Sequence, residues 1–565
     1  MTSLLLPFLI LVPLTAGFVI CALGGRIQRL ATDLAPLISG AILVGAVGLL
    51  SQVSSISPNN ASVGLIQPRV VFSPEWMNLR LPVSIKGHSI DWQLQLGADS
   101  FSASMVLLSA IVTLAVLLTS RNQIKARQEL YSGLILITQS LLIGVFLSMD
   151  LLLFYVFFEA VLLPIILLIN IWGDVKESFN ASRKFLLFTL AGSIPMVVGL
   201  VGLVVQSASI DKPSSVLLTE LSLSAYNSQL DAVVTPAASN ENAIEKARTV
   251  LEDSGKLATS QGLILLTLVL GFGIKMAILP LHSWLPTTYT VAHPNTTAFI
   301  ASVAGKLGVY GLLRIVIPLT PLSLIYYVQF ALGTLGAVAI VYGAMIALRQ
   351  TDLRRLLAYS SLSHMGFVTI GIMAMNREGL SGASIQMLNH GLITAAMFLL
   401  LGAIEERRGR LLLNDESRGL ASAFPRIGTL MVFFTLAAAG LPGLNSFVGE
   451  LLATSGMLRV SIFISAIAVL GTVLGAWYSL RLLQYLMFGS DGNSTEPVYL
   501  RNDIGTAELC ALVPIAALCL SLGVYPSAAT DFFQADVDNL AQSLEPAVRM
   551  LHPNVDSSLL VSQAK

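Results

Sequence analysis

Glu159, Lys275, Lys306, His364 and His390 each sit inside a different long apolar run of this 565-residue chain. Glu159 lies in LLLFYVFFEAVLLPIILLI, Lys275 in LILLTLVLGFGIKMAILPLHSWLP and Lys306 in AFIASVAGKLGVYGLLR. His364 lies in SSLSHMGFVTIGI and His390 in SIQMLNHGLITAAMFLL. An ionisable side chain at the centre of a bilayer costs at least about 2.5–3.5 kcal/mol, so it needs a partner or a task. One Glu–Lys pair alone reads equally well as a structural ion pair, and a histidine as a ring satisfied by nearby carbonyls. Five such groups in separate spans are harder to dismiss. Proton hopping needs acidic, basic and imidazole groups that gain and lose a proton at modest cost.

The elements that position these groups are read from composition. The chain is 55% hydrophobic and 11% charged, with a mean hydropathy of +0.79. Soluble globular chains carry about 25% charged residues. The deficit runs along the whole sequence, so the fold class expected is an all-α integral membrane protein. Crossing about 30 Å of hydrocarbon takes roughly 20 apolar residues, and about 14 runs meet that criterion. They fall near 4–23, 34–53, 98–119, 130–148, 151–170, 184–206, 261–281, 297–317, 322–348, 357–374, 382–404, 426–448, 459–487 and 507–525. The first run has no basic n-region or cleavage site before it and is read as a membrane helix, not a removed signal.

Formal net charge is zero, with 32 basic and 32 acidic residues, which removes any global electrostatic case for nucleic-acid binding. Cys21, Cys510 and Cys519 make no CxxC pair, and neither a Walker A sequence nor a Rossmann GxGxxG follows a strand. No cofactor or metal is therefore expected in this chain.

Basic residues give the orientation. Arg26, Arg29, Arg121, Lys125, Arg127, Lys176, Arg183, Lys184, Arg349, Arg354, Arg355, Arg407, Arg408, Arg410 and Arg418 all fall in loops on one side, opposite the termini. On the terminal side, Arg377 is the main exception in a short connection. The basic face is thus expected to be cytoplasm or mitochondrial matrix. Two stretches interrupt the pattern: the polar segment 54–97, and 207–260, read as an exposed insertion with a short helix near 241–253. After residue 525, apolar residues at helical spacing predict an amphipathic tail along the membrane surface.

Pro280 in KMAILPLHSWLP and Pro442 in AAAGLPGLNSFVGE interrupt two of the spans, with Gly440 and Gly443 beside the second. A proline frees a backbone carbonyl, and unpaired backbone at that depth is tolerated only inside protein or beside a wet cavity. Either kink alone is a weak signal. Spans four to eight and nine to thirteen make two sets of five, with the break in the fourth member of each. Matching breaks in two halves point to an inverted-repeat transporter. The ionisable residues near the breaks are Lys275 and Glu450.

GFGIKMAILPLHSWLP, VAGKLGVYGLLR, QTDLRRLLAYSSLSHMGF, MLNHGLITAAMFLLLG and GLPGLNSFVGE, in that order, resemble the antiporter-like, proton-translocating membrane subunits of respiratory complex I, NADH:quinone oxidoreductase. The resemblance covers roughly 98–490. It implies fourteen helices, two inverted five-helix repeats each with a discontinuous helix, and a half-channel in each repeat joined by a polar axis at mid-membrane. It divides the chain into helices and a polar loop (1–97), an antiporter-like core (98–490, with repeats near 130–317 and 322–487) and a last helix with its tail (491–565).

The resemblance places Glu159 and Lys275 at the family's fifth-helix glutamate and broken-seventh-helix lysine. It places Lys306 at the connecting lysine, His364 and His390 on the axis, and Glu450 at the terminal acid of the twelfth helix. Sibling subunits and sodium–proton antiporter subunits typically carry lysine at that last position, so Glu450 favours one branch. The implied partners are other membrane-arm subunits, siblings included, and the lipid bilayer. The implied location is the mitochondrial inner membrane or, alternatively, a bacterial plasma membrane. The stretch after Pro286 departs from the family pattern: TTYTVAHPN lacks the usual acid and has His293 one step from the usual histidine. Two rival functions are a cation–proton antiporter subunit and a structural scaffold that has lost conduction.

Overall fold

The structure is a computed structural model of the full chain. It describes residues 4–24, 28–56, 66–74, 78–85, 88–207, 214–221, 260–320, 322–410, 412–413, 419–488 and 503–551. The short helix expected near 241–253, and Arg26 and Arg418, lie outside the described residues.

Twelve helices among the described residues are long and apolar enough to cross a membrane. Two further apolar helices are short, Ser260–Lys275 and Pro425–Ala438. These two are the spans that the sequence reading interrupts. Each ends where its polar or conformational constraint begins, and each resumes after a turn, as Trp284–Val291 and Asn445–Leu458. In chain order the helices used below are α1 (Leu5–Leu23), α2 (Gln28–Ser55), α3 (Ser100–Gln123), α4 (Gln128–Leu147), α5 (Leu151–Trp172) and α6 (Ser178–Ser207). They continue as α7 (Ser260–Lys275), α8 (Trp284–Val291), α9 (Pro294–Leu319), α10 (Leu322–Arg349), α11 (Leu353–Met373) and α12 (Arg377–Arg408). The last are α13 (Pro425–Ala438), α14 (Asn445–Leu458), α15 (Ile462–Leu486), α16 (Thr506–Val524) and α17 (Ser527–Leu551).

Burial separates the centre of the bundle from its rim. Of the apolar windows in α4, α9, α11 and α12, about nine-tenths is buried inside the chain, whereas only about a third or less is buried in α1, α2, α15 and α16. A helix buried all round needs apolar residues on every face, and a rim helix keeps apolar residues outward because lipid is its solvent. The titratable residues of α9, α11 and α12 thus lie in the least accessible helices.

Ion pairs mark the two ends. At one end Arg121 pairs with Asp33 at 2.8 Å, Arg407 with Glu508 at 2.9 Å, and Arg410 with Asp352 at 2.7 Å and Asp174 at 3.4 Å. At the other end Arg69 pairs with Asp536 at 2.9 Å, Arg377 with Asp538 at 2.8 Å and Arg459 with Glu378 at 2.6 Å. Arg121, Arg407 and Arg410 thus gather at one end, and Arg377 sits at the other.

The polar loops add strands that helical periodicity gives no hint of. β1 (Val70–Phe72) pairs antiparallel with β4 (Leu96–Ala98). β2 (Asn78–Ile85) and β3 (His88–Gln93) form a hairpin, and β5 (Ser214–Ser215) adds to β3 in parallel. The first part of the insertion is therefore tied to the 66–98 loop. The tail is helix α17, and its Phe533, Val537, Leu540 and Leu544 are buried on one face. That stripe packs on the bundle, so the tail is more tightly docked than a helix lying free on lipid.

Candidate functional site

Each break is held open by specific partners. In the first, α7 stops at Lys275, Ala277 adopts a left-handed φ of 58°, and the indole Nε1 of Trp284 donates to the Ile274 carbonyl at 2.9 Å. One carbonyl orphaned by the break is thereby satisfied. In the second, Gly440 and Gly443 take φ of 72° and 91°, a region that side chains other than glycine's rarely occupy. Asn389 Nδ2 donates to the Asn445 carbonyl at 2.6 Å, and Asn445 Nδ2 donates to Asn389 Oδ1 at 3.1 Å. This pair locks α12, next to His390, onto the restart of the broken helix.

Lys275 and Glu159 meet where the first break lies. Lys275 Nζ is 3.6 Å from Glu159 Oε1, donates to the Phe158 carbonyl at 3.2 Å and lies 4.0 Å from the centre of the Phe158 ring. Glu159 Oε1 also accepts from Ser193 Oγ of α6 at 2.5 Å. The 3.6 Å gap makes this a contact of charges and not a hydrogen bond of ordinary length. The ammonium has other partners in place if the carboxylate moves away.

Lys306 has no exposed surface. Its Nζ reaches the Ala301 carbonyl at 2.7 Å and His390 Nδ1 at 2.7 Å. An ammonium only donates, so Nδ1 accepts and the ring proton of His390 belongs on Nε2. That Nε2 is buried and has no hydrogen-bond partner among the described residues. The His390 and His364 rings are 5.7 Å apart, and both line a cavity with Ser360, Ser361, Thr394 and Ser446. The cavity leaves about 20 Å³ open to a water centre, against the roughly 10–15 Å³ that one water requires.

His364 continues the row. Its Nδ1 lies 2.9 Å from Glu450 Oε1, and its Nε2 lies 3.3 Å from the Tyr478 hydroxyl, which in turn is 2.7 Å from Ser360 Oγ. A carboxylate accepts, so Nδ1 carries the proton and Tyr478 donates to Nε2. Glu450 Oε1 further accepts from Gln386 Nε2 at 3.2 Å and Ser446 Oγ at 3.0 Å. Lys306, His390, His364 and Glu450 therefore form one buried row across α9, α12, α11 and α14.

The structure thus brings all six sequence-predicted residues into two groups, Glu159–Lys275 and Lys306–His390–His364–Glu450. The groups approach each other at Gly308. A Cβ there would fall 2.5 Å from Met276 N and 2.5 Å from the Phe272 carbonyl, so α9 packs directly on the end of α7. Both obstacles are backbone, which cannot swing aside. Gly308→Ala is expected to push α7 and α9 apart, at about 1–3 kcal/mol for an overpacked core site. The check is the fraction of chain recovered in its native assembly after mild detergent extraction; unchanged recovery and activity would contradict the close approach.

Sequence reasoning missed Ser193, Tyr478, Gln386 and Ser446, which hold the acids and His364 in place. Gln386 and Ser446 lie within a helical turn or so of His390 and Glu450, and that proximity was the available signal. Ser193 and Tyr478 carry none, since a neutral hydroxyl is far cheaper in an apolar helix than a charge.

A family described as NADH:quinone oxidoreductase/Mrp antiporter, TM, matches residues 148–475, more than half of the chain. The NADH-quinone oxidoreductase subunit M of Rhodobacter capsulatus is 35% identical over 449 residues, covering 80% of this chain and 82% of that one. The NADH-ubiquinone oxidoreductase chain 4 of Marchantia polymorpha is 32% identical over 449 residues, covering 79% and 82%. Among solved structures, a chain of respiratory complex I from Thermus thermophilus with bound NADH superposes with a TM-score of 0.75. It is 28% identical and covers 95% of this chain and 99% of that one. The match spans both breaks and every titratable residue of the two groups, and on it the chain belongs to the NADH:quinone oxidoreductase/Mrp antiporter transmembrane family.

Proposed function

We propose that the chain is a proton-translocating membrane-arm subunit of a respiratory NADH:quinone oxidoreductase, and that its six intramembrane titratable residues, five buried and Glu159 partly so, carry the proton. The observation that carries this reading is the row Lys306–His390–His364–Glu450, hydrogen-bonded at both ends with a cavity large enough for water at its centre. Such a row costs stability in a membrane and is retained where protons move.

Glu159 and Lys275 act as a switchable pair. Opposite charge holds both ionised, and drawing Glu159 away removes the charge that keeps the proton on Lys275. The released proton passes to Lys306, on to His390, through the cavity to His364 and then to Glu450. His390 hands a proton on from Nε2 while receiving one at Nδ1, which is the two-sided chemistry of an imidazole. The two inverted five-helix repeats and fourteen-helix count implied by the family fit the two short apolar helices beside the twelve long ones. The redox energy arrives from other subunits, and the chain carries no cofactor of its own. It lies in an energy-converting membrane, mitochondrial inner or bacterial plasma, with the Arg121, Arg407 and Arg410 end toward matrix or cytoplasm.

The test is the company the chain keeps. Membranes are extracted in mild detergent and run on a native gel. The chain is expected to co-migrate with flavin and iron–sulfur proteins and with NADH-oxidising activity. Migration apart from them, with sodium–proton exchange retained, would replace this reading with the antiporter one.

A further inference from the structure

Lys306, Tyr310 and Arg314 recur at every fourth residue of α9, and all three are buried. The helix leaves α geometry on both sides of Tyr310: Ala304–Lys306 is a 3₁₀ turn and Leu312–Val316 a π turn. Such π turns are frequent at functional sites. The column leads away from the Lys306 row toward the end of the bundle opposite Arg407 and Arg410.

Below Tyr310 the hydrogen bonds have two arrangements. The Tyr310 hydroxyl is 2.8 Å from the Phe146 carbonyl and 2.9 Å from Ser102 Oγ, and Ser102 Oγ is 3.0 Å from Asp99 Oδ1. Each hydroxyl has one proton. When Tyr310 donates to Ser102, Ser102 donates to Asp99, and an unbroken donor chain ends on a carboxylate. When Ser102 donates to Tyr310 instead, Tyr310 turns to Phe146 and the chain is open.

Asp99 caps α3, accepting from Ser102 N at 2.9 Å, and its other oxygen pairs with the Arg314 guanidinium. Asp536, from the C-terminal helix, accepts from Ser100 N at 2.9 Å and from Ser100 Oγ, and pairs with Arg69 at 2.9 Å. Burial and the nearby Asp99 push the Asp536 carboxyl above its ordinary range, with Arg69 opposing. Two acids and two guanidinia thus close the bottom of the column. Pinning α17 to the bundle accounts for Asp536 and Arg69. It does not account for a tyrosine and a serine hydroxyl aligned on Asp99.

We propose that Tyr310, Ser102 and Asp99 are a proton outlet from Lys306 to the end of the chain opposite its basic loops, gated by Arg314 and Asp536. The inference rests on the reading of Lys306 as a relay. One proton passes from the Lys306 ammonium to the Tyr310 oxygen, four residues further along α9, by way of intervening water. Tyr310 gives its own hydroxyl proton to Ser102, and Ser102 gives its own to Asp99. Lys306 and Asp99 end neutral, and both hydroxyls keep one proton. A neutral Asp99 releases Arg314 toward Asp536, and the acid proton then leaves for water. The hydroxyls reset by turning to Phe146.

The test uses the whole complex in proteoliposomes. Tyr310→Phe removes one hydroxyl and no charge. Asp99→Asn keeps the cap, for which Asn and Asp are equivalent, and removes the acid. Tyr310→Phe is expected to assemble normally and Asp99→Asn in reduced amount, because Arg314 loses its carboxylate. Each assembled complex is expected to lose about tenfold or more in the rate of NADH-driven proton delivery. Tyr310→Phe decides; if it does not assemble, Asp99→Asn decides. Wild-type pumping in the deciding variant overturns the outlet, and failure of both to assemble overturns it too, making the cluster structural. Glu159→Gln is measured alongside. Undiminished pumping there defeats the underlying relay reading, whereas loss in Glu159→Gln with full pumping in Tyr310→Phe defeats the outlet alone.

Discussion

Glu159→Gln is expected to lower proton pumping by the intact complex about tenfold or more, with the complex still assembled. The side chain keeps its length, and Ser193 Oγ, 2.5 Å from Oε1, keeps an acceptor there. What disappears is the negative charge 3.6 Å from Lys275 Nζ. Stripping one partner from a buried ion pair ordinarily destabilises by about 3–5 kcal/mol, because the other charge is left without compensation. Here the ammonium retains the Phe158 carbonyl at 3.2 Å and the Phe158 ring at 4.0 Å, so assembly should survive. A static ion pair and a switch therefore give different results. The static pair predicts loss of complex with little loss of pumping per complex. The switch predicts the reverse, since a positioned acid–base group contributes about 10²–10⁴-fold. Pumping per assembled complex, from a pH-indicator trace normalised to native-gel amounts, separates the two.

The relay is legible in sequence to the extent that its physics is local. Lipid makes a buried charge expensive wherever it occurs, so Glu159, Lys275, Lys306, His364 and His390 stand out with no knowledge of what they face. The breaks are local as well: Pro280 and Pro442 restrict their own backbone, and Gly440 and Gly443 permit the left-handed φ that a break needs. The partners are not local. His364 is 86 positions from Glu450, and Ser100 is 436 positions from Asp536, so nothing in spacing or periodicity connects them. Arg314 ends the quoted VAGKLGVYGLLR, yet its task depends on an aspartate cap more than two hundred residues earlier in the chain. The strands were hidden for a different reason. β1 and β4 are three residues long, and β3 gains a partner from the 207–260 insertion, which no alternation in the 54–97 loop could announce.

Lys306 offers the sharper experiment, because it stands at the fork between the row to Glu450 and the column to Asp99. Replacing it with methionine should abolish pumping, and replacing it with arginine should do so as well. Met matches the unbranched stem and leaves the Ala301 carbonyl and His390 Nδ1 without the donor each now meets at 2.7 Å. Arg preserves the charge and the donor capacity but does not give up its proton in proteins. If Lys306 were only a fixed cation holding His390 in place, Lys306→Arg would pump near the wild-type rate while Lys306→Met would fail. If Lys306 must release the proton it holds, both fail, and the expected loss is about a hundredfold. Arg is also bulkier in a site with no exposed surface, so its assembly must be measured and not assumed. Assembled Lys306→Arg complex that pumps would remove the proton-carrying role from the residue on which both branches depend.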